Sequence, residues 1–249
     1  MERAQVGRNA GSLERIPGES CGKNPVNSGG FIVRQSVGAS GEQVLDKAAG
    51  LLAAGACVVY PTETFYALGA MVGSHAALSR INAIKGRPQS KPLPLIIGHV
   101  DQLAWVVGSA VSAWAGYAAA VKLMECFWPG PLSIIFPARP GLAPQVQDAQ
   151  GRVCVRLTSH PQARALCLLC QSPLAATSAN LSGGQPVSSL SDLDPVVRLA
   201  VDLVVEGRPS PPGGLPSTLV LPHEDGGVAI LRQGALSRAA LEGAGLRLL

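Results

Sequence analysis

The chain contains 249 residues, of which 47% are hydrophobic and 14% are charged, a composition that fits a globular protein with a buried core and excludes a disordered or fibrous one. Its formal net charge is +4, and no run of lysine or arginine marks a basic patch for nucleic acid or a membrane surface. Small phosphorylated ligands are compatible with this charge, and a chain of this length can build one sizeable core.

Residues 1–30 differ in composition from the rest of the chain. They are rich in glycine, serine, asparagine, arginine and glutamate and lack helical or strand periodicity. We therefore expect a mobile N-terminal tail over residues 1–30 and one folded domain over residues 31–249. The longest apolar run, residues 109–121, is interrupted by serine, glycine and tyrosine, so no membrane span is expected.

From residue 40 onward, helical and strand patterns alternate. Ser40 and Gln43 form a capping box at the start of the first helix. Apolar periodicity predicts helices near residues 40–55, 74–85, 109–127 and 161–170. Short apolar runs predict strands near residues 56–60, 93–97, 132–136, 153–157, 173–175, 202–205, 218–221 and 228–231. This alternation predicts an α/β fold with a layered sheet.

The loop that follows the first predicted strand, residues 60–69, is dense in hydroxyl groups. In open α/β sheets, ligands bind at the carboxyl ends of the strands, which makes Thr62 and Thr64 candidate binding residues. The alternative is an ordinary strand-to-helix turn, in which the threonines and Glu63 act as caps. The loop alone does not decide between the two, and it assigns Glu63 no other role.

Two cations, Lys85 and Arg87, stand at the end of the second predicted helix. Cations at that end complement the helix dipole, so a charge cap accounts for them without any ligand. The functional alternative is that a compact ammonium and a forked guanidinium hold a polyphosphate while its charge shifts during transfer. The wider context has to decide between these interpretations.

A small polar loop, residues 176–184, follows the predicted strand at residues 173–175. Its short side chains and glycines let the backbone approach a ligand closely, and Ser178, Asn180 and Ser182 supply donors and acceptors. The glycine and lysine spacing of a Walker-type phosphate loop is absent from the sequence.

Seven short segments occur in a defined order along the chain. They are Tyr60-Pro61-Thr62-Glu63-Thr64, Lys85-Gly86-Arg87-Pro88, Trp128-Pro129-Gly130-Pro131-Leu132, Val155-Arg156, Ser178-Ala179-Asn180-Leu181-Ser182-Gly183, Ser217-Thr218 and Arg232-Gln233-Gly234. Together they resemble the YrdC-type threonylcarbamoyl-AMP synthase family, of which the Lys-x-Arg and Ser-x-Asn pair is the signature. The resemblance covers residues 31–237 and is to the short form of the family, without the extra C-terminal domain.

The resemblance implies an α/β fold with a YrdC-like twisted mixed sheet and flanking helices around a large concave cavity. It also implies which residues face that cavity. The residues implied to bind ATP are Lys85, Arg87, Ser178, Asn180, Ser217 and Arg232, of which Lys85 and Arg87 are the implied catalytic pair. The residues implied to bind threonine are Thr62, Thr64, Arg156 and Ser182, with Arg156 suited to a bidentate contact with the carboxylate.

The activity implied by the resemblance is L-threonylcarbamoyladenylate synthesis, a nucleotidyltransferase reaction that serves threonylcarbamoyladenosine modification of tRNA. L-threonine, bicarbonate and ATP give threonylcarbamoyl-AMP and pyrophosphate, through positioning and charge stabilisation without a covalent protein nucleophile. The sequence has no carboxylate cluster for a metal, so Mg²⁺ is expected to be held mainly by the ATP phosphates. The implied partner is the downstream threonylcarbamoyl transferase machinery of the cytoplasm.

The leading alternative from another class is a non-catalytic YrdC-like module that binds RNA weakly. The modest charge and the lack of an aromatic stacking platform count against it. A second enzyme alternative is the carbamoyl-transfer domain of hydrogenase-maturation proteins, but those proteins carry zinc-finger cysteine pairs. Here Cys167 and Cys170 form a single Cys-x-x-Cys in an apolar helical stretch, so we expect them to be small buried residues in a reducing compartment.

Two positions depart from the family pattern and leave selectivity for threonine over serine open. Ala67 stands where glycine is common, so a positive φ at this site would force the loop to shift. Ile96 stands where some relatives have histidine, so one contact with threonine is expected to be missing.

Overall fold

A computed structural model of the chain describes residues 41–87 and 90–249. The tail expected over residues 1–30, the first residues of the domain expected to begin at residue 31, and the capping residue Ser40 lie outside these described residues. The expected domain boundaries therefore remain predictions. Within the described part of the chain, none of the helices combines the length and the apolar character that a membrane span requires.

The described residues form six α-helices and ten short strands, which alternate along much of the chain. The helices are α1 (Gly41–Ala53), α2 (His75–Lys85), α3 (Tyr117–Phe127), α4 (Pro161–Leu169), α5 (Pro195–Ala200) and α6 (Arg238–Gly243). The strands are β1 (Val58–Pro61), β2 (Tyr66–Gly69), β3 (Leu95–Ile97), β4 (Leu132–Pro137), β5 (Arg152–Leu157), β6 (Leu174–Ala175), β7 (Thr177–Ser178), β8 (Leu203–Val204), β9 (Thr218–Pro222) and β10 (Val228–Arg232). Four 3-10 turns lie at Val100–Trp105, Ser109–Ala113, Pro144–Val146 and Leu190–Asp192.

The strands form two mixed sheets. The larger sheet has the order β10-β9-β4-β5-β3-β6, in which β4 pairs with β9 and β3 with β5 in parallel while the other neighbours are antiparallel. The smaller sheet has the order β7-β2-β1-β8, in which only the β1 and β8 pair is parallel. The predicted α/β class with a mixed sheet is confirmed.

Strand β5 presents alternate residues to two environments, because successive side chains of a strand point to opposite faces of the sheet. Val153 and Val155 are fully buried in the larger of two apolar clusters. Cys154 and Arg156 lie on the opposite face, where Arg156 is the register partner of Ile96 on β3. The strand therefore supplies the core and a cationic face at the same time.

The helix predicted over residues 109–127 is wrong in its first half, where the chain forms the 3-10 turn Ser109–Ala113 before α3 begins. The break lies at Gly116, where a Cβ atom would be 2.5 Å from the indole of Trp114. That indole packs edge-on against Phe136 of β4, with ring centroids 6.1 Å apart. The chain turns at a glycine because the tryptophan ring must fold back into the core.

Residues 60–69 form a β-hairpin, so the alternative of a strand-to-helix turn is wrong. β1 and β2 pair antiparallel, and Ala67 lies opposite Tyr60. Among the described residues other than glycine, only Gln171 has a positive φ. Ala67 is therefore an ordinary buried strand residue, and it requires no shift of the loop.

The short helices α5 and α6 were not predicted, because six residues are too few to show an apolar period. A capping signal for α5 was nevertheless available. Asp194 accepts a hydrogen bond from the main-chain nitrogen of Val196, and Pro195 occupies the first helical turn.

Candidate active site

The turn between β1 and β2 is shaped by the buried side chain of Thr62. Its hydroxyl donates to the main-chain oxygen of Phe65 at 2.7 Å and accepts from the main-chain nitrogens of Thr64 and Phe65, each at 3.3 Å. A threonine hydroxyl has only one proton to donate. The Thr62 hydroxyl is therefore committed to holding the turn.

Thr64 joins this turn to strand β5. Its hydroxyl lies 3.2 Å from the Thr62 hydroxyl and accepts from Arg156 Nη1 at 3.4 Å. Because the Thr62 proton is directed at Phe65, Thr64 is the donor within the hydroxyl pair. The structure thus brings together three of the residues predicted to bind threonine, although Thr64 and Arg156 are 92 positions apart in the chain.

Glu63 lies against the same guanidinium. Its Oε1 is 3.3 Å from Arg156 Nη1, and the two side chains are only 11% and 8% exposed. Thr158 donates from Oγ1 to the other carboxylate oxygen, Oε2, at 2.6 Å. The sequence pattern assigns neither Glu63 nor Thr158 a role. The sequence could have indicated Thr158 through its position two residues after Arg156, because alternate residues of an extended chain lie on the same face.

Hydrogen bonds of Lys85 connect the end of α2 to the loop at residues 176–184. The residue is 3% exposed, and its ammonium donates to the main-chain oxygens of Ser178 and Asn180. Its main-chain oxygen accepts from the Ser182 nitrogen at 2.9 Å. The helix ends there because Gly86 takes the left-handed conformation with φ 56°. The Lys-x-Arg and Ser-x-Asn segments are therefore in direct contact.

Two positive charges stand at this helix end. Burial, together with the charge of Arg87, lowers the pKa of Lys85 from 10.5 to about 8. Burial also lowers the pKa of Arg87. The Arg87 guanidinium donates to the main-chain oxygens of Lys91 at 3.2 Å and Pro92 at 3.0 Å. Main-chain oxygens thus accept from some of the N–H groups of Lys85 and Arg87, and the remaining N–H groups of the two side chains can bind an anion.

Asn180 shapes the loop that carries it. Its Nδ2 donates to the main-chain oxygens of Leu181 and Gly184, each at 2.7 Å. Its Oδ1 is buried and has no partner among the described residues, which leaves an acceptor for a ligand hydroxyl or N–H group. Ser182, predicted to bind threonine, is exposed, and its described contact is with Lys85 rather than with Arg156.

Arg232 and Ser217 form another group, to which the structure adds Ser133. Arg232 donates to the Ser217 main-chain oxygen from Nε at 3.2 Å and from Nη2 at 2.9 Å, and to its hydroxyl at 3.1 Å. The Ser217 hydroxyl lies 2.9 Å from that of Ser133, and both serines are buried. Ser133 was not predicted. Its signal was a polar residue between Leu132 and Ile134 in an apolar strand.

Cys154 lies between the two arginine groups. Its thiol interacts with Arg232, Ser133 and Arg156, each of which favours the thiolate. Burial outweighs these interactions and raises the pKa of the thiol to about 11. Through Cys154, the Arg232 and Arg156 groups share one face of the larger sheet.

The predicted site residues therefore fall into three contact groups, and strand pairing connects the first two through β7 and β2. The groups are Lys85 with Arg87, Ser178, Asn180 and Ser182; Thr62 with Thr64 and Arg156; and Ser217 with Arg232.

A cavity of about 450 Å³ opens farther along β4, β5 and β9. It is lined by Trp114, Ile135, Phe136, Pro137, Arg152, Leu221, Pro222, His223, Glu224 and Asp225. None of the predicted site residues is among them, so the concave cavity expected around those residues remains a prediction. Within residues 41–87 and 90–249, no group of three or more histidine, cysteine, aspartate or glutamate side chains is arranged to hold a metal.

The chain matches the Sua5_yciO_yrdC family model, whose description is "Telomere recombination", over residues 50–234. It is 35% identical over 197 residues to the threonylcarbamoyl-AMP synthase of Bacillus subtilis, which covers 79% of this chain and 55% of that protein. It is 34% identical over 161 residues to the synthase of Halorhodospira halophila, which covers 65% of this chain and 81% of that protein. The chain thus spans about half the length of the Bacillus relative.

Solved structures of similar fold include Sua5 of P. abyssi in complex with L-threonine. That structure has 29% sequence identity and a TM-score of 0.71, and the match covers 82% of this chain and 58% of that one. A double variant of the same Sua5 matches at 28% identity with a TM-score of 0.74, over 85% of this chain and 63% of that one. E. coli YciO matches at 22% identity with a TM-score of 0.64, which concerns the fold alone.

Proposed function

The chain belongs to the Sua5/YciO/YrdC family, and from this premise we propose that it is an L-threonylcarbamoyladenylate synthase. The reaction is a nucleotidyl transfer that forms threonylcarbamoyl-AMP and pyrophosphate from L-threonine, bicarbonate and ATP. The observation that carries the proposal is the contact between Arg156 and the Thr64 hydroxyl at 3.4 Å. This contact brings a guanidinium, a group suited to binding a carboxylate, to a polar turn, and it supports the proposal in a family with a member solved in complex with L-threonine.

In this proposal, Arg156 holds the threonine carboxylate and Thr64 contacts the substrate beside it. Thr62 acts indirectly, because its hydroxyl holds the turn that presents Thr64. Ile96 is the register partner of Arg156 and packs with α4 in the smaller apolar cluster. Its side chain is therefore buried among apolar residues and offers the substrate no polar contact.

The ATP phosphates meet the cations of the other two groups, Lys85 with Arg87 and Arg232 with Ser217. ATP enters as its magnesium complex, with the ion held mainly by the phosphates themselves. The unpartnered Oδ1 of Asn180 supports a contact with a nucleotide hydroxyl or N–H group. Ser182 then belongs with these nucleotide-binding residues rather than with threonine.

The chemistry needs no covalent bond to the protein. The threonine amine and bicarbonate give a carbamate and water. One carbamate oxygen then forms a bond to the α-phosphorus of ATP, while the bond from that phosphorus to the bridging oxygen breaks and pyrophosphate leaves with the electron pair. Cations fixed by main-chain oxygens stabilise the charge that develops on the phosphates without reorganising. The adenylate would pass to the tRNA-modifying transferase machinery of the cytoplasm. We infer this partner from the reaction of the family.

The experiment that tests this function is pyrophosphate release from ATP by the purified protein with Mg²⁺ and bicarbonate. The expected result is release that requires both L-threonine and bicarbonate, with mass spectrometry identifying threonylcarbamoyl-AMP. L-serine in place of threonine measures the selectivity left by Ile96. Release that does not depend on an amino acid would contradict the synthase, and no release at all would favour the non-catalytic RNA-binding alternative.

A further inference from the structure

We propose that Glu63 is a positioning residue, which with Thr158 orients the Arg156 guanidinium so that its Nε and Nη2 edge receives the carboxylate of the amino-acid substrate. This proposal rests on the proposed function, since it identifies what sets the affinity of that site for an amino acid. It concerns an acidic residue that neither the sequence pattern nor the reaction itself requires.

The contacts of Arg156 with the described residues use only one nitrogen of its guanidinium. One nitrogen, Nη1, faces both Glu63 Oε1 at 3.3 Å and the Thr64 hydroxyl at 3.4 Å. The Nε and Nη2 groups donate to none of the described residues. A guanidinium binds a carboxylate through two parallel N–H groups, and with Nη1 engaged these are the Nε and Nη2 pair. The protein therefore leaves one edge of the fork available.

Glu63 is held in place by Thr158. Thr158 Oγ1 donates to Oε2 at 2.6 Å and itself accepts from the His160 main-chain nitrogen at 3.2 Å. The hydroxyl proton of Thr158 is therefore committed to the carboxylate, which cannot rotate without losing it. His160 in turn is held to the loop before Ser217, because its Nε2 donates to the Pro209 main-chain oxygen at 2.9 Å.

The ion pair between Glu63 and Arg156 is poorly suited to stabilising the fold. Oε1 of Glu63 is buried and makes no aligned hydrogen bond, although it lies 3.3 Å from a cation. An unsatisfied buried acceptor and two desolvated charges make this a poor stabilising interaction. The same geometry is well suited to fixing the direction of a guanidinium, since any rotation of Arg156 would leave Glu63 buried without a counter-charge.

The test uses the full chain and compares four variants. Glu63→Gln removes the charge, Thr158→Val removes the donor, and Thr158→Ser keeps the donor as a rescue. Glu242→Gln is the matched control, because Glu242 lies at the same 3.3 Å from Arg238 but in an exposed pair. The readouts are the dissociation constant for L-threonine by calorimetry, the separate KM values for threonine and ATP, kcat, and Tm to identify any variant that fails to fold.

The expected result for Glu63→Gln and Thr158→Val is a rise of about tenfold or more in the threonine dissociation constant and KM, as misplacement of a binding group causes. The KM for ATP, and the values of Thr158→Ser and Glu242→Gln, should stay within about twofold of the parent. Unchanged threonine binding in both Glu63→Gln and Thr158→Val, or an equal rise in both KM values, overturns the proposal.

The same measurements separate this proposal from the proposed function. A parent protein that binds threonine but does not turn it over contradicts the synthase, and the threonine dissociation constants of the variants still decide the role of Glu63. A parent protein that binds no threonine overturns both proposals.

Discussion

The main-chain nitrogen of Ser182 donates a 2.9 Å hydrogen bond to the main-chain oxygen of Lys85, so the loop at residues 176–184 binds the last carbonyl of α2. The Lys85 ammonium binds the same loop in the opposite sense, through the oxygens of Ser178 and Asn180. Lys85 thus holds the loop to the end of α2, in addition to the nucleotide contact proposed for it.

Removal of the Lys85 ammonium should therefore cost both stability and activity. In Lys85→Met the apolar stem remains while two main-chain oxygens lose their donor, a loss of about 1–3 kcal/mol. We expect Tm to fall by about 2–4 °C for each kcal/mol and pyrophosphate release to be lost. Lys122→Met is the control, since Lys122 also donates to a main-chain oxygen, that of Gly245, but at the surface. Equal Tm values for the two variants would show that the fastening is unimportant.

The pH dependence of the reaction should carry the signature of Lys85. Its pKa is lowered to about 8, so the charge is lost as pH rises through that value, and kcat/KM for ATP should fall there. The stability of the fold should change with pH in the opposite direction. Between about pH 8 and the unfolded value of 10.5 the unfolded chain binds more protons, so the parent should gain stability relative to Lys85→Met as pH rises. A flat ATP profile across pH 7–9.5 would contradict a phosphate contact by Lys85.

Arg87→Ala should weaken nucleotide binding selectively. The guanidinium is half-buried and partly bonded to main-chain oxygens, so it is already oriented when ATP arrives. We expect a rise of about tenfold or more in the KM for ATP, equivalent to about 1.4 kcal/mol, and an unchanged dissociation constant for threonine. Arg139→Ala, at an exposed arginine, is the control. A parallel loss of threonine affinity would argue against separate nucleotide and amino-acid groups.

Thiol reactivity should distinguish Cys154 from Cys126. The pKa of Cys154 is raised to about 11, so it is almost entirely protonated at pH 7.5, whereas Cys126 is exposed. Iodoacetamide at pH 7.5 should label Cys126 first and leave activity intact. Labelling of Cys154 at higher pH should inactivate the protein, because the adduct lies between Arg156 and Arg232. Peptide mass spectrometry with activity assays follows both events, and early labelling of the half-buried Cys154 would contradict the raised pKa of its thiol.

Two glycines offer a matched test of packing. A Cβ at Gly69 would collide with the main-chain oxygen of Ala175 and lie 2.6 Å from the Tyr60 ring, whereas one at Gly116 would meet the Trp114 side chain at 2.5 Å. A side chain can move more easily than a backbone. Gly69→Ala should therefore destabilise by about 3 kcal/mol or more and Gly116→Ala by about 1 kcal/mol, measured by urea unfolding. The reverse order would contradict the packing around β2.

The sequence predicted the elements whose periodicity is strong and local. The helix expected at residues 74–85 is α2, and the one expected at residues 161–170 is α4. Cys167 is buried in that helix, as expected, whereas Cys170 is the capping residue that follows the helix and is only half-buried; both are free thiols. Besides the short helices α5 and α6, the prediction failed where a distant contact decides the conformation, as at Gly116, where a tryptophan reaches a strand that comes later in the chain.

Motifs selected the candidate site residues but did not predict the contacts among them. Arg156 and Thr64 were both selected from the sequence, but Glu63 and Thr158 acquire a role only because the fold joins the β1 and β2 hairpin to the end of β5. The sequence suggested a charge cap or a phosphate-binding cation for Lys85, and its burial against Ser178 follows from loop packing that no local pattern encodes.

The alternation along β5 has a consequence for how this protein can change. Parallel pairing with β3 and antiparallel pairing with β4 hold its register from both sides. A single inserted residue would exchange the two faces beyond it, turning Arg156 into the apolar core and Val155 to the opposite face of the sheet. Insertions and deletions in β5 are thus disfavoured by folding, and under the proposed function they would also displace the Arg156 guanidinium. Variation in length must be confined to surface connections, such as the turn at Asp225 between β9 and β10.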